Sequence, residues 1–215
     1  MLYDEREFGF KFEKKARRQG FKRIAGTDEA GRGPLAGPVV AAACIIPPRN
    51  KIDGVYDSKQ LTPEMRAHLF EQLIADKRIQ YGIGVVDCHE IDQINIYQAT
   101  IRAIWKAVGQ LLEAPDCLLV DGMQLKHPTI SCVKIIGGDA LSYSIAAASI
   151  LAKVWRDRLM VAYHQQWPQY GFEQHKGYAT EQHLAALKEH GPCPIHRLTF
   201  GSVKAHKDLQ LDLFG

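Results

Sequence analysis

The chain has 215 residues, 46% of them hydrophobic and 24% charged, with a formal net charge of +3 at pH 7. That is ordinary globular composition for one domain, which can bury its own core without staples. The charges are too evenly balanced to say anything about nucleic acid, and the longest apolar stretches, around residues 39–46 and 145–152, are too short to span a bilayer.

Taken in order, residues 1–23 are charged and lack an apolar core, so they do not read as a signal peptide. Within them, residues 4–19 alternate charge with Phe8, Phe10 and Phe12, compatible with a short packed helix or an arm. Residues 24–27 and 39–46 read as paired strands, the second closed by Pro47-Pro48. Thr62-Pro63 opens a helix with Leu69, Leu73 and Ile74 on its apolar face. Residues 80–86 read as a third strand and 94–112 as a long helix. A short buried strand, 117–120, ends at Asp121, and 131–136 is another. Gly137-Gly138-Asp139 turns into a long helix over about 142–167, small on one side at Ala146, Ala147, Ala148 and Ala152. Residues 180–190 form the last clear helix, closed by Gly191-Pro192. Strands come first and then alternate with helices, which predicts an α/β fold: a mixed sheet flanked by helices, with a helical C-terminal portion.

The five cysteines, Cys44, Cys88, Cys117, Cys132 and Cys193, include no C-x-x-C pair. That argues against a zinc site and a disulfide framework, and fits a reducing compartment. A cytoplasmic protein is expected. No H-E-x-x-H or G-x-S-x-G occurs, so nothing marks a zinc protease or a serine nucleophile.

The informative stretch is Asp28-Glu29 followed by Ala30-Gly31-Arg32-Gly33-Pro34-Leu35-Ala36-Gly37. Two carboxylates stand where the first strand is expected to give way to a glycine-rich turn. Side chains alternate faces along a strand, so both acids serve one site only if the chain twists or ends there. Taken alone, such a pair is an ordinary solvated loop. The glycines match neither the P-loop nor the dinucleotide fingerprint. Asp121 and Asp139 also fall at element ends beside small residues, where sites form in α/β sheets. Oxygen ligands of this kind select hard cations such as Mg²⁺ or Mn²⁺.

The whole string strongly resembles the first motif of ribonuclease HII, the bacterial type 2 ribonuclease H. The resemblance continues at Asp57-Ser58-Lys59-Gln60-Leu61, Glu90-Ile91-Asp92-Gln93-Ile94-Asn95-Ile96, Val120-Asp121-Gly122 and Gly138-Asp139. It resumes around Ala148-Ser149-Ile150-Leu151-Ala152-Lys153, at His175-Lys176-Gly177-Tyr178 and at His196-Arg197-Leu198-Thr199-Phe200-Gly201. It covers residues 22–204, leaving an extension, 1–21, and a tail, 205–215.

The resemblance implies the ribonuclease H-like fold and two-metal hydrolysis of a phosphodiester, with Asp28, Glu29, Asp121 and Asp139 as metal-binding and catalytic acids. In such sites two ions about 4 Å apart clamp the attacking and leaving oxygens. It further implies that Gly31, Arg32 and Gly33, with Tyr178, read the step from RNA to DNA through the 2′-hydroxyl. Ser58, Lys59, Lys153 and Lys176, and also Arg156 and Arg158, are candidates for substrate phosphate contacts. The expected substrates are RNA–DNA hybrids and duplex DNA carrying a single ribonucleotide, cut on its 5′ side to leave a 5′-phosphate and a 3′-hydroxyl. Ribonuclease HIII, a related enzyme, usually carries an extra N-terminal substrate-binding domain. The residues ahead of the first motif are too few for one. In the tail, Gln210, Leu211, Asp212, Leu213 and Phe214 resemble the pentapeptide by which bacterial replication proteins dock on the sliding clamp.

Overall fold

The computed structural model describes residues 8–205. They divide into two compact units, one of residues 8–30, 40–85 and 101–154, the other of residues 31–39, 86–100 and 155–205.

The first unit is built on β1 (Ile24–Ala30), β2 (Val39–Ile45), β3 (Gln80–Val86), β4 (Cys117–Asp121) and β5 (Ser131–Ile135), in the spatial order β3-β2-β1-β4-β5. β1 lies in the middle, antiparallel to β2 and parallel to β4, and β4 is parallel to β5. The sheet is mixed and flanked by helices, as expected from the sequence. Residues 40–44 have no exposed surface, which is why β2 reads as an unbroken apolar run rather than an alternation. β1 is longer than expected. Glu29 and Ala30 keep pairing with Ala41 and Val40, so the two acids lie inside the strand rather than beyond its end.

Helices approach this sheet closely because glycines replace side chains where they touch. A Cβ on Gly26 of β1 would lie 2.3 Å from the carbonyl carbon of Ser144, in α4 (Tyr143–Gln166). A Cβ on Gly84 of β3 would lie 1.9 Å from the carbonyl oxygen of Ala103, in α3 (Cys88–Val108). α2 (Pro63–Ala75) starts as expected, with the Thr62 hydroxyl accepting the Met65 N–H at 3.3 Å. α3 begins ahead of the expected Ile94. Asp87 caps it by accepting the Glu90 N–H at 2.8 Å, and Asn95, at φ 66° and ψ 162°, interrupts it. The Asn95 side chain then accepts the Gln98 N–H at 3.1 Å and caps the helix a second time.

The N-terminal extension contributes a helix, α1 (Lys11–Arg18), not an extended arm. Ala16 joins Ile24, Cys117, Leu119, Ile135 and Ile145 in one apolar cluster. Glu13 is buried, and its Oε1 accepts from the Ser142 hydroxyl, the Ser144 N–H and the Ser144 hydroxyl at 2.7, 2.9 and 2.6 Å. A carboxylate from the extension therefore caps the N-terminus of α4, where the helix dipole favours negative charge.

The second unit holds the later turns of α4, α5 (Phe172–His175) and α6 (Glu181–His190), the helical C-terminal portion expected from the sequence. Its core gathers Ala36, Met160, Tyr170, Phe172, Ala186, Cys193 and Ile195. Leu35 packs with Leu187 and Val203. Leu35 and Ala36 thus root the glycine-rich loop in this core. All five cysteines are free thiols. No helix among the described residues is long and apolar enough to cross a membrane. Residues 210–214, the clamp-like pentapeptide, lie outside the described residues.

Candidate active site

Three carboxylates converge in the first unit. Asp28 comes from β1, Asp121 from the last position of β4, and Asp139 from the short 3-10 turn Gly138–Ala140. The parallel register sets Thr27 opposite Val120, which brings the next residue of each strand, Asp28 and Asp121, side by side. Each of the three acids offers an oxygen within 4.8 Å of the others. Gly137 reverses the chain at φ 66°, and the Gly138 N–H donates to Asp121 Oδ1 at 2.6 Å, which fixes the turn bearing Asp139 against β4.

Burial and crowding make the negative charge expensive. Burial, then the Glu29 charge, then that of Asp121, hold the Asp28 carboxyl well above the ordinary carboxylate range, against a hydrogen bond from Ser149. Burial and Asp139 raise Asp121, partly offset by the Gly138 N–H. Glu29 lies outside the three-oxygen group, yet its charge is felt at Asp28. Like charges this close are tolerated when a cation sits among them. An all-oxygen, carboxylate donor set fits a hard divalent ion and not zinc.

One cation of the protein already leans on the cluster. Lys59 Nζ donates to Asp139 Oδ2 at 2.5 Å, although its side chain is 73% exposed. Burial disfavours the ammonium, but the bond to Asp139 and the surrounding carboxylates outweigh it and raise its pKa. The Lys59 N–H donates to Asp57 Oδ1 at 2.9 Å, which tightens the turn that aims it. Ser58 is buried and its hydroxyl shares a 2.8 Å hydrogen bond with Ser149, the residue that bonds Asp28. It therefore supports an acid from behind. Lys153 lies half-buried on α4.

In the second unit the turn Gly31-Arg32-Gly33 and Tyr178 stand together: a Cβ on Gly33 would lie 3.8 Å from the Tyr178 ring, which is 45% exposed. Two buried arginines hold this arrangement from below. Arg197 donates to the carbonyls of Gly31 at 2.5 Å, Arg32 at 2.9 Å and Gly37 at 2.9 Å. Arg156 donates to those of Pro38 at 3.0 Å, Lys176 at 3.0 Å and Ala36 at 3.1 Å. Gly31, at φ 95°, has no room for a side chain, since a Cβ would fall 2.0 Å from Arg156 Nε. Burial pulls Arg156 down to about 10 and Arg197 to about 9, and both stay charged at neutral pH. With these carbonyls turned inward onto guanidinium groups, the loop is pinned, and two positive charges lie beneath it.

Arg156 corrects an expectation. Read from sequence as a phosphate contact, it is 1% exposed and bonds three carbonyls, so it positions the loop instead. Arg197 lies within a matched motif, but nothing in the chain marks it as a buried anchor for the turn. Arg158 is exposed, and Lys176 is half-buried with φ 51° and its ammonium on the Glu173 carbonyl oxygen.

The sequence model for ribonuclease HII matches residues 25–203. The chain belongs to the ribonuclease HII family. It is 54% identical over 193 residues to the ribonuclease HII of Chlamydia muridarum, covering 90% of this chain and 88% of that one. Among solved structures it resembles the ribonuclease H2 of Pyrococcus horikoshii, with a TM-score of 0.71 and 29% identity over 87% of this chain and 98% of that one. It also resembles the ribonuclease HII of Archaeoglobus fulgidus, solved in complex with PCNA, with a TM-score of 0.66 and 24% identity over 83% and 95%. Membership of the ribonuclease HII family makes the chain a metal-dependent endoribonuclease of the ribonuclease H type.

Proposed function

We propose that the chain hydrolyses the RNA strand of RNA–DNA hybrids and incises 5′ of single ribonucleotides embedded in duplex DNA, serving ribonucleotide excision repair and RNA primer removal in the cytoplasm. The observation that carries this reading is the three-carboxylate cluster of Asp28, Asp121 and Asp139, in a chain whose next residues after β1 form the glycine turn. When bound there, two Mg²⁺ or Mn²⁺ ions supply the activation of water and the stabilisation of the leaving 3′-oxygen. Asp28, Asp121 and Asp139 would hold them, with Glu29 completing the set. Lys59 presents an ammonium beside the cluster, suited to orienting a substrate phosphate. Gly31, Arg32 and Gly33 offer backbone groups at short range to a 2′-hydroxyl, while the exposed Tyr178 ring stacks on the neighbouring sugar. Lys153 and Lys176 add positive charge along the duplex.

The test is a duplex with one embedded ribonucleotide, compared with an RNA–DNA hybrid and an all-DNA control in the presence of Mg²⁺ or Mn²⁺. Incision 5′ of the ribonucleotide, leaving a 3′-hydroxyl, is expected, with the control uncut. Cleavage of the hybrid alone would remove the junction reading. Tyr178→Ala should lower the preference for the junction, and an unchanged preference would refute the assignment of Tyr178.

The tail extends the proposal to a partner. Gln210, Leu211, Asp212, Leu213 and Phe214 would dock on a bacterial sliding clamp, with Leu213 and Phe214 as apolar anchors and Gln210 setting the register. The archaeal relative solved with PCNA supports a clamp as the class of partner.

A further inference from the structure

Three buried histidines pack together in the second unit: His175, His183 and His196, at 9%, 0% and 2% exposure. The rings of His175 and His183 stack at 4.6 Å with 13° between their planes. None of them has a part in the chemistry described so far. The hydrogen bonds of His196 and His183 nevertheless run in one direction and end on the carbonyl of Tyr178.

The Cys193 N–H donates to His196 Nδ1 at 2.9 Å, whereas the Cys193 carbonyl oxygen is farther, at 3.3 Å, and already accepts the His196 N–H; this assigns Nδ1 as an acceptor without a proton, with the Cys193 thiol beside it at 3.1 Å. A neutral His196 then bears its proton on Nε2. His196 Nε2 lies 2.9 Å from His183 Nε2, which must therefore be the acceptor. His183 bears its own proton on Nδ1, and Nδ1 lies 2.9 Å from the carbonyl oxygen of Tyr178, which can only accept. Reversing the bond between the two rings would need a charged His183 and a His196 stripped of both protons. One arrangement of neutral rings satisfies every atom. His175 completes the frame. Its Nε2 donates to the Tyr170 carbonyl at 2.7 Å, and its Nδ1 accepts the Gly177 N–H at 3.1 Å. The Tyr178 N–H itself donates to the His175 carbonyl at 2.9 Å.

We propose that His183 is a positioning residue for Tyr178, held in its Nδ1–H tautomer by a one-way hydrogen-bond chain that starts at the Cys193 amide and passes through His196. Together with the Thr180 N–H, which donates to the same oxygen at 2.9 Å, the chain fixes the Tyr178 carbonyl, and with it the direction in which the ring leaves the backbone, beside Gly33. This inference rests on the reading of Tyr178 as the residue that stacks on the sugar at the ribonucleotide junction.

Long-range proton–nitrogen NMR on the full-length protein labelled in histidine reads the tautomers directly. At pH 7, His183 should carry its proton on Nδ1, and His175 and His196 on Nε2. Any other tautomer at His183 or His196 overturns the proposal, whether or not variants fold. The functional arm uses the ratio of kcat/KM on the single-ribonucleotide junction to kcat/KM on a long RNA–DNA hybrid. His183→Leu should lower that ratio roughly tenfold. His183→Asn, whose amide N–H can replace Nδ1–H, should restore most of it. A merely structural histidine would depress both substrates together and would not distinguish Asn from Leu. If Tyr178→Ala lowers the ratio but folded His183→Leu leaves it unchanged, the positioning role is wrong and the Tyr178 reading stands. If Tyr178→Ala itself leaves the ratio unchanged, the underlying reading has failed first.

Discussion

At the scale of single residues, the chain places charge where it is costly and glycine where nothing else fits. Asp28 is 7% exposed and is raised by burial and by the carboxylates of Glu29 and Asp121. Asp28→Asn removes one of the repelling charges without changing shape. The metal-free variant should melt no lower than the parent, gain less from added Mn²⁺, and lose cleavage by about a thousandfold or more. Thermal melts with and without the ion, run beside a cleavage assay, check all three. The two glycines of the turn should behave differently. Gly31→Ala forces a methyl group onto Arg156 Nε at a φ of 95°, and should cost about 2–4 kcal/mol in denaturant unfolding. An added Cβ at Gly33 meets only the Tyr178 ring at 3.8 Å, so Gly33→Ala should change stability by less than about 0.5 kcal/mol while disturbing recognition. Equal losses at both positions would contradict the packing described for Arg156.

At the scale of elements, the N-terminal extension matters through one side chain. Glu13 Oε1 accepts three hydrogen bonds at the start of α4. α4 carries Ser149, which bonds Asp28, so the cap and the acid cluster share a helix. Glu13→Ala leaves buried donors at Ser142 and Ser144 without their acceptor, and should cost about 2–3 kcal/mol. Glu13→Gln keeps an accepting oxygen and should cost less. Urea unfolding of both variants decides the matter: if they lose the same amount, the lost charge or packing is responsible rather than the cap.

At the scale of the whole molecule, the buried histidines tie stability to pH. Burial first, then the charge of a neighbouring histidine, hold His183 and His196 at about 4. The rings and thiol in contact with this pair belong to His175, Tyr170, Phe172 and Cys193, and the Tyr178 carbonyl completes the contacts of His183; none of these is a carboxylate. The unfolded chain takes up protons near 6.5, while the folded chain resists until about 4. Stability is therefore complete above pH 6.5 and falls as the pH drops towards 4, by about 3 kcal/mol for one such ring. Urea unfolding at pH 7.5 and pH 5 measures the loss, and His183→Leu should flatten the slope. The tail provides a separate test. A chain truncated after Asp208 should lose clamp binding yet cut short junction duplexes at the parental rate. Loss of cleavage in that truncation would show that the tail is needed by the enzyme itself.

The sequence alone was enough to single out three acids that the fold brings together. Asp28, Asp121 and Asp139 stand at positions the motifs mark, and the apolar runs that carry Asp28 and Asp121 are buried strands, with Ile24 and Leu118 out of water. Local patterns also named the cap at Thr62, whereas the cap at Thr180 was seen only in the structure. The supports were decided only in three dimensions. Arg156 and Arg197 look like any surface cation until their six carbonyl partners are seen, and those of Arg156 lie as far as 120 positions away. Glu13 and Ser142, 129 positions apart, carry no mutual signal in the chain. The direction of the histidine chain depends on the Cys193 amide facing His196. Periodicity and turn chemistry are local properties, whereas the partner of a buried polar group is set by which distant backbone atoms the packed core brings within hydrogen-bond reach.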